Sequence, residues 1–338
     1  MNSFYLRNFL RLKNFKKQDI LFLIKYAQKL KFEKIMKQEQ KNLKNKNIVL
    51  IFEKESTRTR CAFEVASFDQ GAKITYLNAK DIHIGYKESI ADTALTLGKM
   101  YDGIVYRGHQ HKNIEKLAKY AKIPVWNGLT KSFHPTQILS DILTIKEIFL
   151  KKNIKNIKIA YIGDAKNNIS NTLIEAANLL NFNLSVISPK KYLPNKEFLN
   201  FYNIKINKKS NNILFTDNIK KGIYQADIIY TDVWISMGEN SDKIKKKISL
   251  LKNYQVNKKI LKLTQNPFVK VFHCLPALHD KKTIFGKKII QKFNLKNGVE
   301  ITDEVFKSNQ KIIFQQSSNR VHIVKALMIC SLIKKINF

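Results

Sequence analysis

The alternation of short apolar runs with amphipathic segments is the feature that most restricts the fold of this 338-residue chain. In the first half it predicts strands near 47–52, 73–77, 103–107 and 123–126, and helices near 18–37, 58–69, 89–101, 111–121 and 135–151. In the second half it predicts strands near 158–162, 184–188, 213–215, 227–231 and 269–273, a helix near 169–181 and a long last helix near 317–335. Strands that alternate with helices in this way indicate an α/β fold with parallel sheets.

The length favours two domains, because the chain is about twice as long as a typical domain. A Lys-rich polar stretch near 145–155 suggests the boundary. We therefore predict two doubly wound parallel-sheet domains, 1–150 and 151–338, with the final helix at about 317–335 returning to the first domain.

One pentapeptide, Ser56-Thr57-Arg58-Thr59-Arg60, follows the first predicted strand and opens a predicted helix. A helix start presents unpaired backbone N–H groups at the positive end of the helix dipole, and the hydroxyl and guanidinium groups add further donors. This combination predicts an anion site whose donors suit a phosphate.

Arginine is scarce in this chain. Only six of the 61 basic residues are Arg, and they are Arg7, Arg11, Arg58, Arg60, Arg107 and Arg320. The planar fork of Arg binds carboxylate or phosphate through two parallel hydrogen bonds, whereas Lys offers a point charge. An Arg in a Lys-dominated chain therefore marks a position where two parallel hydrogen bonds to an anion are useful. Two of the six arginines lie in the pentapeptide.

Composition narrows the function classes further. No run of 18 apolar residues predicts a membrane span, and the first residues lack a signal core or a transit leader, so we expect a cytoplasmic protein without membrane contact. Three widely spaced cysteines argue against a disulfide framework or a zinc site. The formal charge of +35 is spread along the chain as Lys, and no nucleic-acid-binding motif accompanies it, so we expect no specific nucleic-acid partner.

Chemically distinctive residues recur at the carboxyl ends of the predicted strands, where ligands bind in parallel sheets. The members of this set are Arg58, Arg107, His134, Asp164, Asn168, Asp232 and Cys274. Because core or surface residues would not all fall at the same end of their strands, we predict one active site in a cleft between the two domains.

Five segments together resemble the ornithine carbamoyltransferase family, nearly along the whole chain and in the family's order. They are Phe52-Glu53-x-x-Ser56-Thr57-Arg58-Thr59-Arg60, Tyr106-Arg107-Gly108, His134-Pro135-Thr136-Gln137, Asp232-Val233-Trp234-Ile235-Ser236-Met237-Gly238 and His273-Cys274-Leu275-Pro276. The first and third occur in transcarbamoylases generally, while the Ser-Met-Gly and His-Cys-Leu-Pro segments point to ornithine.

The resemblance implies a reaction in which the δ-amine of L-ornithine attacks carbamoyl phosphate, giving citrulline and phosphate, in arginine biosynthesis. Arg107, His134 and Cys274 are implied as catalytic residues. The implied carbamoyl phosphate ligands are Ser56, Thr57, Arg58, Thr59, His83, Arg107, His134, Gln137, Cys274, Leu275 and Arg320. The implied ornithine ligands are Asn168, Asp232, Ser236 and Met237. The resemblance also implies a cis Leu275–Pro276 peptide, a homotrimer with shared sites, and no metal or organic cofactor.

Three positions depart from the family pattern. His83 stands where the family often has Gln, on a loop that reaches a neighbouring subunit's site. Lys166 replaces a usual Arg, and the lead-in to Arg320 is Gln315-Gln316-Ser317-Ser318-Asn319.

Other interpretations remain open at this point. A transcarbamoylase using aspartate would need extra cationic groups for the second carboxylate, and one using putrescine would not need the Ser236-Met237-Gly238 loop. A different class, a nonenzymatic polyanion-binding protein on a decayed transcarbamoylase scaffold, is supported by the +35 charge alone. The intact motif residues count against it.

Overall fold

The computed structural model describes residues 3–78, 84, 85, 87–201, 212–235 and 240–336. The chain divides into two compact units. The first comprises residues 1–144 with 317–338, and the second comprises residues 145–316. None of the described helices combines the length and the apolar character that crossing a bilayer requires.

The first unit is built on four strands: β1 (Asn47–Phe52), β2 (Lys73–Asn78), β3 (Gly103–Arg107) and β4 (Val125–Leu129). They form a parallel sheet in the order β2-β1-β3-β4. Its helices are α1 (Lys17–Ile35), α2 (Thr57–Gln70), α3 (Ile90–Met100), α4 (His111–Tyr120) and the start of α5 (Pro135–Ile148). Five of the six residues of β1 are buried, as expected for a parallel strand covered on both faces.

The second unit contains β5 (Lys158–Ile162), β6 (Asn183–Ile187), β7 (Ile213–Thr216), β8 (Ile228–Thr231) and β9 (Lys270–His273). They form a parallel sheet in the order β7-β6-β5-β8-β9. Its helices are α6 (Asn168–Leu180), α7 (Lys196–Phe201), α8 (Ile219–Ile223), α9 (Ser241–Leu251), α10 (Lys258–Leu263), α11 (Ile284–Lys292) and the first half of α12 (Asp303–Leu332). The predicted fold class, α/β with two parallel sheets, is confirmed.

The last helix is longer than the sequence indicates, because α12 begins at Asp303 and not near 317. Two polar residues occupy its buried face and interrupt the apolar periodicity. Asn309 Oδ1 accepts a hydrogen bond from Val271 N at 3.0 Å, and Gln316 Oε1 accepts one from His273 N at 3.1 Å. These side chains satisfy alternate N–H groups of β9, which is the edge strand of its sheet, and they thereby protect that edge.

Strand order fixes where each unit can bind a ligand. In doubly wound sheets, ligands bind beyond the carboxyl ends of the strands at the point where the chain reverses its direction of winding. In the first sheet this point lies between β1 and β3, and in the second it lies between β5 and β8. Arg58 follows β1 and Arg107 ends β3, while Asn168 follows β5 and Asp232 follows β8.

Candidate functional site

The start of α2 forms the floor of the site in the first unit. Ser56 caps the helix, and its Oγ accepts a hydrogen bond from Thr59 N at 3.2 Å. Thr57 and Arg58 occupy the first turn, so their backbone N–H groups belong to the set that a helix leaves without intrahelical partners. The sequence therefore folds here into the anion-binding helix start that the pentapeptide predicts.

Two arginines that are distant in sequence converge on this helix start. Arg107 Nη1 lies 3.4 Å from Thr59 Oγ1, and Arg320 Nη1 lies 3.3 Å from the same oxygen. Arg320 reaches it from α12 and is only 2% exposed. The Thr59 hydroxyl thus accepts from both guanidinium groups, which brings two positive charges to the positive end of the α2 dipole.

His134 directly precedes α5 in the same unit and is buried. Its backbone oxygen accepts from Gln137 N at 3.2 Å. Burial lowers the pKa of His134 well below its usual value, and the cationic Arg320, Arg107 and Arg58 lower it further. The imidazole is therefore neutral at physiological pH, so it can donate one hydrogen bond without adding a charge.

Gln137 lies in the first turn of α5 and is fully buried. Its Nε2 donates to Asp141 Oδ1 at 2.7 Å, which fixes the orientation of the amide. Among the described residues, the carbonyl oxygen Gln137 Oε1 is buried without a hydrogen-bond partner. Buried polar atoms are normally satisfied, so this oxygen is available to a ligand.

Glu53 organises the turn that follows Arg107. Its carboxylate accepts from Tyr106 OH at 2.6 Å and from His109 N at 3.0 Å, while its own N–H donates to Arg107 O at 2.8 Å. Gly108 is required at this turn, since a Cβ there would lie 2.1 Å from the Tyr106 hydroxyl oxygen and 2.6 Å from Glu53 Oε2. The predicted site does not include Glu53, although a polar residue directly after β1 lies where ligands bind in a parallel sheet.

Arg60 does not join the anion site, which corrects the expectation that both arginines of the pentapeptide point at it. Its Nε donates to Glu64 Oε1 at 2.8 Å, and its guanidinium carbon lies 3.8 Å from the centroid of the Tyr76 ring. Glu64 stands one helical turn further along α2, so the pair has the favourable i, i+4 spacing. Arg60 therefore connects α2 to the edge strand β2.

In the second unit, Asp232 and Cys274 meet at the ends of β8 and β9. Cys274 Sγ donates to Asp232 Oδ1 at 2.9 Å, and Val233 N donates to the same oxygen at 2.8 Å. Burial raises the pKa of Asp232, although the nearby His273 and the hydrogen bonds from Cys274 and Val233 act in the opposite direction. A buried carboxylate with these properties favours a cationic or proton-donating ligand.

A buried pair lies behind Cys274. His273 Nδ1 accepts from Leu275 N at 2.9 Å, and its Nε2 lies 3.4 Å from Glu300 Oε1. Glu300 Oε1 also accepts from Leu278 N at 2.5 Å. These bonds fix the turn that carries Cys274 and Leu275, and the Leu275–Pro276 peptide within it is cis, as the resemblance implies.

Asn168 is the first residue of α6, directly after the capping residue Asn167. Asn167 Oδ1 accepts from Ser170 N at 2.9 Å, and its Nδ2 lies 3.5 Å from Asp232 Oδ2. Gly163, at the end of β5, has a φ of +136°, a conformation that residues with a side chain rarely adopt. The glycine turn therefore directs the start of α6 towards the end of β8.

Three of the predicted ligands, His83, Ser236 and Met237, lie outside the described residues. The structure thus brings Ser56, Thr59, Arg107, His134 and Arg320 together in the first unit, and it brings Asn168, Asp232 and Cys274 to one end of the sheet in the second unit.

Comparison with known proteins finds a family model for each half of the chain. A family model described as the carbamoyl-P binding domain of aspartate/ornithine carbamoyltransferase matches residues 7–147, and one described as the Asp/Orn binding domain matches residues 155–331. The chain belongs to the aspartate/ornithine carbamoyltransferase family. As a member of this family, it is a carbamoyltransferase.

Relatives match over the full length. The chain is 55% identical over 338 residues, and 100% of both chains, to ornithine carbamoyltransferase of Buchnera aphidicola subsp. Schizaphis graminum. It is 57% identical over 335 residues, and 99% of both chains, to that of Buchnera aphidicola subsp. Baizongia pistaciae. Among solved structures, the ornithine carbamoyltransferase of Pyrococcus furiosus matches with a TM-score of 0.86 and 32% identity over 99% of both chains. The anabolic enzyme of Campylobacter jejuni matches with a TM-score of 0.81 and 33% identity over 95% of this chain and 97% of that one.

Two groups of described side chains in this carbamoyltransferase have the composition of metal ligands. The donor atoms of Asp232, His273 and Cys274 lie within 4.8 Å of one another, as do those of a second group consisting of His279, Asp280 and Asp303. In the first group Cys274 already donates to Asp232. In the second group Asp303 already accepts from His279 at 2.8 Å and pairs with the Lys307 ammonium at 2.6 Å. Asp232 and Asp303 thus each already have a partner within the protein.

Proposed function

We propose that this carbamoyltransferase transfers the carbamoyl group of carbamoyl phosphate to the δ-amine of L-ornithine, producing L-citrulline and phosphate. The observation that carries the proposal is the convergence of Arg107 and Arg320 on the Thr59 hydroxyl at the start of α2. Two guanidinium forks at a helix N-terminus match a phosphate dianion in charge and in hydrogen-bond geometry. The match to the carbamoyl-P binding domain model supports carbamoyl phosphate as the phosphate compound that binds here.

The first unit binds the carbamoyl donor in this proposal. Ser56, Thr57, Arg58 and Thr59 hold the phosphate with backbone and hydroxyl donors. Arg107 and Arg320 bind carbamoyl phosphate at the point where its phosphate joins the carbonyl group. His83, Cys274 and Leu275 are further carbamoyl phosphate ligands in this proposal.

His134 and Gln137 act on the carbamoyl end. When the amine attacks, negative charge develops on the carbonyl oxygen, and a fixed donor aimed at that oxygen stabilises the transition state. His134 suits this task because its lowered pKa keeps it neutral. The Gln137 carbonyl accepts from the carbamoyl NH₂ group, which distinguishes this substrate from an acyl phosphate.

The second unit binds the acceptor. Asn168, Asp232, Ser236 and Met237 hold the amino-acid end of ornithine. An alkyl amine has a pKa of about 10.4, so it arrives protonated and cannot attack. Cys274 and Asp232 form the hydrogen-bonded pair that influences this proton, and the departing phosphate takes it up. Most of the rate then comes from orienting two bound substrates and from the donors at the developing oxyanion.

The choice of ornithine rests on charge. Residues 145–316 contain no arginine, so the second unit offers no fork for the second carboxylate of aspartate. The relatives with 55% and 57% identity are both ornithine carbamoyltransferases, which supports the same acceptor.

An acceptor panel tests this proposal. The purified chain is incubated with carbamoyl phosphate and, in parallel, L-ornithine, L-aspartate or putrescine, and each carbamoylated product is measured by mass spectrometry. We expect citrulline and no product with the other two acceptors. Carbamoyl aspartate or carbamoyl putrescine as the main product would retain the phosphate site and refute the acceptor.

We further propose that the chain assembles as a homotrimer with shared sites. Large apolar side chains are exposed on α2 and α3 of the first unit: Phe68 is 64% exposed, Leu95 48% and Met100 65%. Burial against a second copy would remove this apolar surface from water. Light scattering after size exclusion tests the assembly, with an expected mass three times 39.4 kDa. A monomer mass at micromolar concentration would contradict it.

Finally, we propose that the enzyme works in the cytoplasm, in the biosynthetic direction that leads to arginine. The Campylobacter jejuni relative is described as anabolic, and its structure covers 95% of this chain. Complementation of an arginine-requiring strain that lacks its own ornithine carbamoyltransferase tests the direction. Growth without arginine is expected, and failure of an expressed, active protein to support growth would refute it.

A further inference from the structure

Arg320 reaches the anion site from an element that is remote in sequence, because 261 positions separate it from Thr59. Its guanidinium group can reach Thr59 only if α12 lies beside α2 with the correct position along its axis and the correct rotation about it. Sliding a helix by one residue moves each side chain by about 1.5 Å and rotates it by about 100°. The structure must therefore contain contacts that set the register of α12.

The first such contact is the residue directly before Arg320. Asn319 is fully buried, and both ends of its amide are engaged within the first unit. Its Oδ1 accepts from Lys31 Nζ at 2.7 Å, and its Nδ2 donates to Thr144 Oγ1 at 2.9 Å. Because the carbonyl and the NH₂ group have different partners, only one orientation of the side chain satisfies them both.

The second contact lies on α12 five residues after Arg320. The Lys325 side chain is fully buried, and its ammonium pairs with Glu39 and, at 2.8 Å, with Asp69 Oδ2. Asp69 belongs to the last turn of α2, the helix whose first turn carries Thr59. The Lys325 and Lys34 ammonium groups lower the pKa of Asp69 against the opposing effect of its burial.

A buried ammonium group tolerates little displacement. It must keep its carboxylate partners, since a charge left unpaired in the interior is strongly unfavourable. Any other register of α12 would remove Lys325 from Glu39 and Asp69 and would also remove Asn319 from Lys31 and Thr144. The two contacts therefore select one alignment of α12 against α2, and that alignment holds Arg320 over Thr59.

We propose that Asn319 and Lys325 are positioning residues of the phosphate site, acting through Arg320. Asn319 bonds to Lys31 and Thr144, and Lys325 pairs with Glu39 and Asp69, so their role is to fix the helix that carries the second guanidinium. The inference that this alignment serves catalysis rests on the proposed carbamoyl transfer. Its effect on anion binding can be measured without turnover.

Lys325→Met tests the proposal in the full-length chain, with inorganic phosphate as the probe and isothermal titration calorimetry as the measurement. Methionine keeps most of the volume and removes the charge. We expect the phosphate Kd to rise about 10-fold or more, because small misplacements of a binding group are costly. In an Arg320→Ala background, Lys325→Met should change the Kd less than twofold, because the two residues act through the same contact.

Lys34→Met is the matched control. Lys34 pairs with the same Asp69, but it comes from α1 and its side chain is 40% exposed. Its loss removes one positive charge from the same cluster without releasing α12, so the phosphate Kd should stay within twofold of wild type. An equal rise in Lys34→Met and Lys325→Met would overturn the proposal, because charge and not alignment would then be responsible.

Asn319→Asp provides a second test if Lys325→Met fails to fold. Aspartate keeps the bond from Lys31 and loses the donor to Thr144, and the same rise in Kd is expected. Wild-type affinity in either folded variant, while Arg320→Ala binds weakly, would refute the positioning role and leave the proposed function intact. A wild-type chain that binds no phosphate and forms no citrulline would refute both.

Discussion

Replacement of Arg107 by Lys tests the phosphate site most sharply, because it removes the fork and keeps the charge. Arg107 Nη1 lies 3.4 Å from Thr59 Oγ1, at the helix start that forms the proposed phosphate site. A lysine ammonium is a compact point charge and cannot present the same two parallel donors. The variant should therefore lose one charge-assisted hydrogen bond to carbamoyl phosphate.

The size of the loss follows from that single bond. A hydrogen bond to a charged group contributes about 1.5–3 kcal/mol. Since 1.36 kcal/mol corresponds to a tenfold change in rate, kcat/KM for carbamoyl phosphate should fall about 10- to 150-fold. The assay is steady-state citrulline formation at saturating ornithine, accompanied by thermal unfolding, which should change little.

Arg60→Lys is the control for this experiment, because it makes the same chemical change in the neighbouring motif. Arg60 is half-exposed and pairs with Glu64 at 2.8 Å, away from the anion site. An exposed pair of this kind contributes about 1 kcal/mol at most, and kcat/KM should remain near that of wild type. Near-normal activity of Arg107→Lys, or an equal loss in both variants, would refute the assignment of Arg107.

Three further predictions concern the second unit and the dependence on pH. Cys274→Ala should raise KM for ornithine more than KM for carbamoyl phosphate, since the thiol is bonded to Asp232; equal changes in the two steady-state constants would contradict this. Asp232→Asn should abolish ornithine use yet raise the thermal midpoint, because burial raises the pKa of Asp232 and the charged form therefore costs stability at neutral pH. A lower midpoint would show that the carboxylate is stabilising. Burial and nearby cations lower the pKa of His111 to about 4 and that of His322 to about 3, so unfolding takes up protons below pH 6.5. The free energy of unfolding should thus fall as the pH drops from 6.5 towards 4, by about 1.4 kcal/mol per pH unit for each histidine. Urea unfolding of His322→Gln should show a smaller drop, and an unchanged slope would rule out this linkage.

Local patterns in the sequence predict most of the elements that support the site. β1 is found at Asn47–Phe52, as expected, and α2 begins within one residue of its predicted start. Parallel strands are buried on both faces, so their apolar runs stand out against the Lys-rich background. The apolar pattern does not reveal the start of α12, because two polar residues, Asn309 and Gln316, lie on its buried face and accept hydrogen bonds from the edge strand β9.

Partnerships between distant residues could not be predicted. Arg320 was assigned to the site by resemblance, but its convergence with Arg107 on Thr59 depends on how α12 packs against α2. Arg60 shows the reverse case. The pentapeptide motif predicts that Arg60 binds the anion. Its guanidinium group instead pairs with Glu64 at i, i+4 spacing and lies over the Tyr76 ring, away from the anion site. Sequence patterns thus indicate which residues carry chemistry, and tertiary packing decides which of them act together.

The most direct measurement follows the carbamoyl group itself. The purified chain is mixed with ¹³C-labelled carbamoyl phosphate and L-ornithine, while citrulline is followed by ¹³C NMR and phosphate by ³¹P NMR in the same sample. Transfer by the proposed mechanism predicts that citrulline and phosphate appear in equal amounts and at rates that depend on ornithine. Phosphate released faster than citrulline, or at a rate independent of ornithine, would contradict carbamoyl transfer to this acceptor.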